Sequence, residues 1–184
     1  MTLPVAYVEW MPCWRIIPSR FPPIQLFERV TEPDDLEAIF ELESLTKPRL
    51  RDEAGEIRLV PQEDRISGPG TSVIMAAFTH LNPDGSRFTD GTYGVFYAAN
   101  NLDTAIAETR YHRERFMRAT AQAHMELDMR VYLVDLAGEL HDLRGQKATY
   151  PLVYRKDNYA AAQHLAKVAR KGGSNGIVYD SVRC

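Results

Sequence analysis

The sequence predicts an α+β (mixed α/β) fold in which helices pack on a sheet, and three observations predict it. Residues 130–136 (RVYLVDL) and 176–179 (GIVY) are short runs of β-branched and aromatic residues, the composition of strands. Leu102, Ala105, Ile106 and Thr109, and again Ala162, Leu165, Ala166 and Ala169, recur at the spacing of a helix face. No repeat, low-complexity tract or obvious linker interrupts them, so strands and helices belong to one fold.

Residues 1–23 combine Tyr7, Trp10, Trp14 and Phe21 with prolines at 4, 12, 18, 22 and 23. Proline interrupts regular structure while the rings offer apolar contact. The segment therefore reads as an arm, lying on its own domain or, alternatively, anchoring a dimer or partner contact. Residues 24–184 form a single domain. Within it, residues 25–30 alternate as a short strand with Phe27 and Arg29 on one face. Thr31 or Asp34 caps an amphipathic helix through Leu36, Ile39, Phe40 and Leu42 that ends before Pro48. Residues 28–65 hold 12 acidic and 6 basic side chains, a net of -6, which reads as a solvated face. Residues 47–70 contain breakers and little periodicity, as a surface segment does. Residues 71–81 lack Gly and Pro and centre on Met75, Ala76 and Ala77, which favours helix over buried strand.

Residues 85–115 concentrate turn residues and usable side chains. Glycine-containing turns lead to an apolar run at 93–99 that reads as a strand, and Asn100 and Asn101 hand the chain to a helix carrying Glu108. On a helical wheel Glu108 falls near Thr104, Tyr111 and Arg115, opposite the apolar stripe. Further on, Gly138 with His141, Asp142 and Leu143 suggests a second strand or turn beside residues 130–136. Asp157 can cap the helix that follows, and Gly172 and Gly173 can end it in the left-handed conformation glycine tolerates.

Composition narrows the function. The chain has 184 residues, 45% hydrophobic and 26% charged, so it can bury a sizeable core. A net charge of -3 argues against a protein built to coat nucleic acid, because that binding needs clustered Lys and Arg that release counterions. Arg110, Arg113, Arg115 and Arg118 form a local basic cluster, but with no aromatic platform beside them it reads as a solvated helix face. Cys13 and Cys184 can form neither a disulfide framework nor a four-ligand zinc site, which fits a reducing, cytoplasmic setting. No basic leader precedes an apolar run, and no stretch approaches a membrane span.

The common catalytic signatures are absent: there is no phosphate loop, no G-x-G-x-x-G, no H-E-x-x-H and no G-x-S-x-G, and the five histidines lack metal-ligand spacing. Taken by itself, Glu108 reads as a solvated carboxylate within reach of His112 one turn on. Four pieces in order add to that reading. LFERV at 26–30, GSRF with GVFYAA up to residue 99, TAIAET at 104–109 and SNGIVYDSVR at 174–183 together resemble the RES domain family, named for Arg, Glu and Ser.

The resemblance implies an ADP-ribosyltransferase-like central sheet with packed helices and an activity on NAD, commonly as the toxin of a toxin-antitoxin pair. The implied reaction is cleavage of the nicotinamide–ribose bond by water or phosphate. Transfer of ADP-ribose to a protein is the alternative, and a non-catalytic nucleotide-binding or interaction domain is a further one. NAD is expected as the substrate, with no metal. The expected partner is an Xre-type helix-turn-helix antitoxin protein; neither direct contact with nucleic acid nor a membrane is expected, and homodimerisation stays open.

The matching positions would be Arg29, Arg87 in the glycine-rich turn, Tyr97 at the strand end, Glu108 and Ser181. Bond breaking leaves positive charge on the ribose, which a fixed carboxylate such as Glu108 stabilises. Arginine's planar fork suits a pyrophosphate, giving Arg29 and Arg87 that role, while Tyr97 stacks on nicotinamide or ribose and Ser181 positions the amide or ribose by hydrogen bonding. Bland alternatives stand beside these: an ion pair for Arg29, a core ring for Tyr97, a strand terminus for Ser181. Phe88 and Thr89 replace the family's usual Trp and Asn, residues 31–84 are longer than a compact core needs, and relatives commonly continue past the position of Cys184 with another strand. The aromatic arm is expected to lie beside the last strand in its place.

Overall fold

The computed structural model describes residues 3–19, 55–120 and 125–183. The expected strand at 25–30, including Arg29, and the helix before Pro48 lie outside them. The chain divides into two compact units, Met1–Arg20 with Tyr97–Cys184, and Phe21–Phe96.

The first unit is built on a mixed three-stranded sheet in the order β1-β2-β3, with helices, so the fold is α+β. Strand β1 is Val5–Pro18 and runs antiparallel to β2, Met129–Asp142, from Val5 opposite His141 to Pro18 opposite Met129. The proline-rich segment thus forms a 14-residue strand where interrupted structure was expected. Its prolines fall where a strand admits them: Pro12 in the register shift between Trp10 and Cys13, Pro18 at the end. The shift sets Cys13 opposite Val134, and the buried thiol donates to the Val134 carbonyl at 3.0 Å. Val8 and Cys13 are both buried although five residues apart, because the shift inserts one residue and reverses the two-residue alternation beyond it; Tyr7, Met11 and Leu133 are exposed.

β2 runs unbroken through Gly138 to Asp142, so no second strand or turn forms there. The chain then returns through α3, Ala160–Lys171, to β3, Ile177–Val178, which pairs parallel with the end of β2. Ala162, Ala166 and Ala169 are buried, and these small side chains allow a close approach of α3. Asp157 does not cap α3: Tyr159 occupies that position and Asn158 Oδ1 accepts the Ala160 N–H at 3.1 Å. Gly173, with φ at 80°, takes the left-handed position at the helix end. Because β1 and β3 flank β2 on opposite sides, the aromatic segment does not lie beside the last strand. The expected strand at 93–99 is reduced to one bridge, Ala99 with Trp14, because residues 94–98 have no ladder partner among the described residues.

The second unit contains helix α1, Thr71–Thr79, in the expected place, with Val73, Met75 and Ala77 buried. Its glycine-rich turn closes by Ser86 N–H to the Thr89 carbonyl at 2.7 Å and Gly85 N–H to the Asn82 carbonyl at 2.9 Å. Phe88 and Thr89 are both buried, and the Thr89 hydroxyl donates to the Tyr93 carbonyl at 2.7 Å while accepting the Gly91 N–H at 3.1 Å. Thr89 therefore gives this turn a side-chain brace of its own. Gly94 lies against the end of α1; a Cβ there would sit 2.3 Å from the Ala77 carbonyl oxygen.

Candidate active site

Helix α2, Leu102–Ala119, begins because the Asn101 side chain accepts the Thr104 N–H at 2.8 Å, with Asp103 adding negative charge where free N–H groups favour it. Ala105 is the residue α2 buries. Glu108, three residues on and about 60° around the helix, shares that covered side. Its side chain is 23% exposed. The covered side thus takes Ala105 from the expected apolar stripe together with Glu108 from the face expected to be solvated, while Leu102 and Ile106 of the stripe are exposed. Hydrophobic period misorients α2 because a small alanine and a carboxylate occupy its packed face.

Ser181 reaches this carboxylate from the far end of the chain. After β3, Gly145 N–H donates to Asp180 Oδ2 at 2.8 Å, and Val182 is buried, which fixes the segment between them. Ser181 Oγ then donates to Glu108 Oε1 at 2.6 Å. The same oxygen accepts the Arg183 N–H at 3.0 Å. With one lone pair so occupied, the hydroxyl proton is directed at the carboxylate, and a bond to a charged acceptor is short and strong. His112 Nε2 stands 3.9 Å from Glu108 Oε2, outside hydrogen-bond reach.

A second set of contacts lies three residues along α2. The Arg183 guanidinium carbon sits 3.3 Å from the centre of the Tyr111 ring. Tyr111 donates its hydroxyl to Asp157 Oδ1 at 2.8 Å, and Arg183 Nη2 lies 3.5 Å from the same oxygen. The Tyr111 bond, aided by the Arg183 charge, holds the Asp157 carboxyl below the usual aspartate range. Burial pushes the Tyr111 phenol up, and its bond to Asp157 adds to that.

Tyr97 belongs to the same unit, half-buried, and its carbonyl accepts from Arg15 Nη1 at 3.0 Å. Arg87 belongs to the second unit and is only 6% exposed. Arg29 lies outside the described residues. Glu108 and Ser181 meet directly, within one unit. Of the basic cluster, Arg110 and Arg118 pair with Glu114 at 2.6 and 3.5 Å, as exposed i,i+4 pairs on α2. Tyr111, Asp157 and Arg183 were missed. Tyr111 is a helical-wheel neighbour of Glu108, and Arg183 follows Ser181 across the bend at Val182.

A family model, RES domain, matches residues 62–184, two thirds of the chain. The chain belongs to the RES domain family. That match includes Arg87, Tyr97, Glu108 and Ser181 and begins after Arg29. The RES chain is also 36% identical over 132 residues to uncharacterized protein y4oC of Sinorhizobium fredii (strain NBRC 101917 / NGR234), covering 71% of this chain. It spans 56% of that protein's length. Among the described residues of this RES chain, no helix is long and apolar enough to cross a membrane.

Proposed function

We propose that this RES domain consumes NAD, breaking the bond between nicotinamide and ribose with water or phosphate as acceptor, and acts as a toxin restrained by an Xre-type antitoxin protein. The observation that supports the reading best is the 2.6 Å bond that aims Ser181 at Glu108 in a chain of this family. When NAD is bound, its ribose carries the positive charge that develops as nicotinamide departs. Glu108, oriented by Ser181 and still partly exposed, is the side chain suited to meet that charge. Ser181 serves as a donor that fixes the carboxylate's rotamer and stays close enough to bond the ribose or the amide. Tyr97 offers a ring to stack on nicotinamide or ribose. Arg29 and Arg87 are the arginines for the pyrophosphate.

Purified protein incubated with NAD should release nicotinamide, and repeating the reaction with added phosphate or with candidate acceptor proteins identifies the acceptor. Glu108→Gln keeps the shape and the bond from Ser181 but removes the charge; turnover should fall at least about 100-fold. A Glu108→Gln protein that turns NAD over at the original rate assigns the chemistry to another carboxylate. Absence of nicotinamide release by the folded, unaltered protein rejects the reading as a whole.

A further inference from the structure

We infer that Tyr111, Asp157 and Arg183 form a clamp whose task is to position Ser181 against Glu108, so that Arg183 is a positioning residue for the reaction. The inference rests on the NAD-cleaving reading for its functional half and on geometry for its structural half.

The contacts make two parallel rungs between α2 and the segment after β3. Glu108 meets Ser181, and three residues on, Tyr111 meets Arg183. Glu108 and Tyr111 lie three residues and about 60° apart on one side of α2, and the bend at Val182, closed by the residue-183 N–H on Ser181 Oγ, presents Ser181 and Arg183 to it together. A shift of the segment would carry Ser181 away from Glu108. The upper rung resists that shift, since the Arg183 side chain is 9% exposed and lies flat on a ring. A guanidinium face on an aromatic face is an attraction that a lysine cannot reproduce in the same geometry. The ring is in turn held by its hydroxyl on Asp157, and Arg183 Nη2 donates to the Lys156 carbonyl.

Arg183 also acts on Ser181 directly. The backbone N–H of residue 183, whose place the stacked side chain fixes, occupies the Ser181 oxygen at 3.0 Å and thereby selects the rotamer that sends the proton to Glu108. Other ties on the segment are weaker or more distant from the hydroxyl: Lys147 Nζ is 3.5 Å from the Ser181 carbonyl, and Gly145 holds Asp180.

The test uses the full chain with Arg183→Lys, Tyr111→Leu, Tyr111→Phe and Ser181→Ala, and Arg183→Lys combined with Ser181→Ala. Arg183→Lys and Tyr111→Leu should lower kcat for NAD about three- to tenfold, no more than Ser181→Ala does, with KM within about threefold, as small misplacement of a positioning group does. Tyr111→Phe keeps the ring under the guanidinium and should lose less than Tyr111→Leu. If Arg183 acts through Ser181, Arg183→Lys should cost almost nothing further once Ser181 is alanine. Losses that multiply in the double variant, or an unchanged kcat in Arg183→Lys, overturn the clamp while leaving the NAD reading intact. If the unaltered protein releases no nicotinamide, hydrogen exchange decides the structural half. The amides of residues 177–183 should exchange faster in Arg183→Lys and Tyr111→Leu than in Tyr111→Phe, and equal protection in all three overturns the clamp.

Discussion

Ser181 uses both sides of one hydroxyl, accepting the backbone N–H of Arg183 and donating to Glu108, and this fixes the direction of the carboxylate that the proposed reaction sets against a developing charge. Ser181→Ala removes the donor but leaves Glu108 in place, so kcat for NAD should fall less than in Glu108→Gln, by about tenfold. Steady-state kinetics on the two variants gives the order. A residue outside the proposed site carries a readable pH signature. The Asp142 carboxylate accepts three hydrogen bonds from Arg144, from its N–H, Nε and Nη2 at 2.9, 2.9 and 2.7 Å, and the side-chain bonds chiefly hold its pKa below the ordinary value of 3.8. A depressed pKa means the stabilisation is full above the unfolded-state value and disappears as pH falls through the folded one. Asp142→Asn should therefore lower Tm at neutral pH, with a cost of about 0.5–1 kcal/mol for so exposed a pair, and the difference from the unaltered protein should close as the solution is acidified through the carboxylate range. Thermal melts at a series of pH values measure it.

At the scale of elements, two features carry strong local constraints. Asn101 caps α2, and Asn101→Ala should cost about 1 kcal/mol in urea unfolding. Gly94 is under a harsher one: a methyl would press into the Ala77 carbonyl oxygen and, at 2.4 Å, the Phe78 Cα, both backbone atoms that cannot swing aside. Gly94→Ala should destabilise the Phe21–Phe96 unit by about 3 kcal/mol, the upper range for overpacking, visible as a lowered urea midpoint. The apolar run around Gly94 resembled a strand because its residues are those strands favour. It forms a single bridge, since strand composition reports a preference for a half-covered pleated surface and not the presence of a partner.

At the scale of the molecule, β1 ties the N-terminal segment to β2, covering one edge of β2 while β3 covers the end of the other. Deleting residues 1–18 would expose the N–H and C=O groups along β2, a template for pairing between molecules. The truncated protein should form aggregates under conditions in which the full chain stays dispersed, as light scattering would show. Helices α1 and α3, the Asn101 cap and both strands of the 130–136 and 176–179 patterns were legible because each rests on local composition, period or capping chemistry. The N-terminal strand was not. Its prolines signalled interruption, yet a bulge and a strand end tolerate proline, and only a partner strand reveals where those are.

The sequence by itself determined the α+β class, the helix that carries Glu108, and through its ordered motifs the RES family with Glu108 and Ser181 among the expected residues. These follow from information local to short stretches, and from motif order along the chain. The tertiary structure decided that α2 turns Glu108 toward cover, that Ser181 meets it at 2.6 Å, and that Arg183 lies on Tyr111. Those contacts join residues 72 to 73 positions apart, and no periodicity extends over such a separation. The path of β2, α3 and β3 brings the segment after β3 to α2, and a stacked guanidinium and an oriented hydroxyl exist only once it arrives.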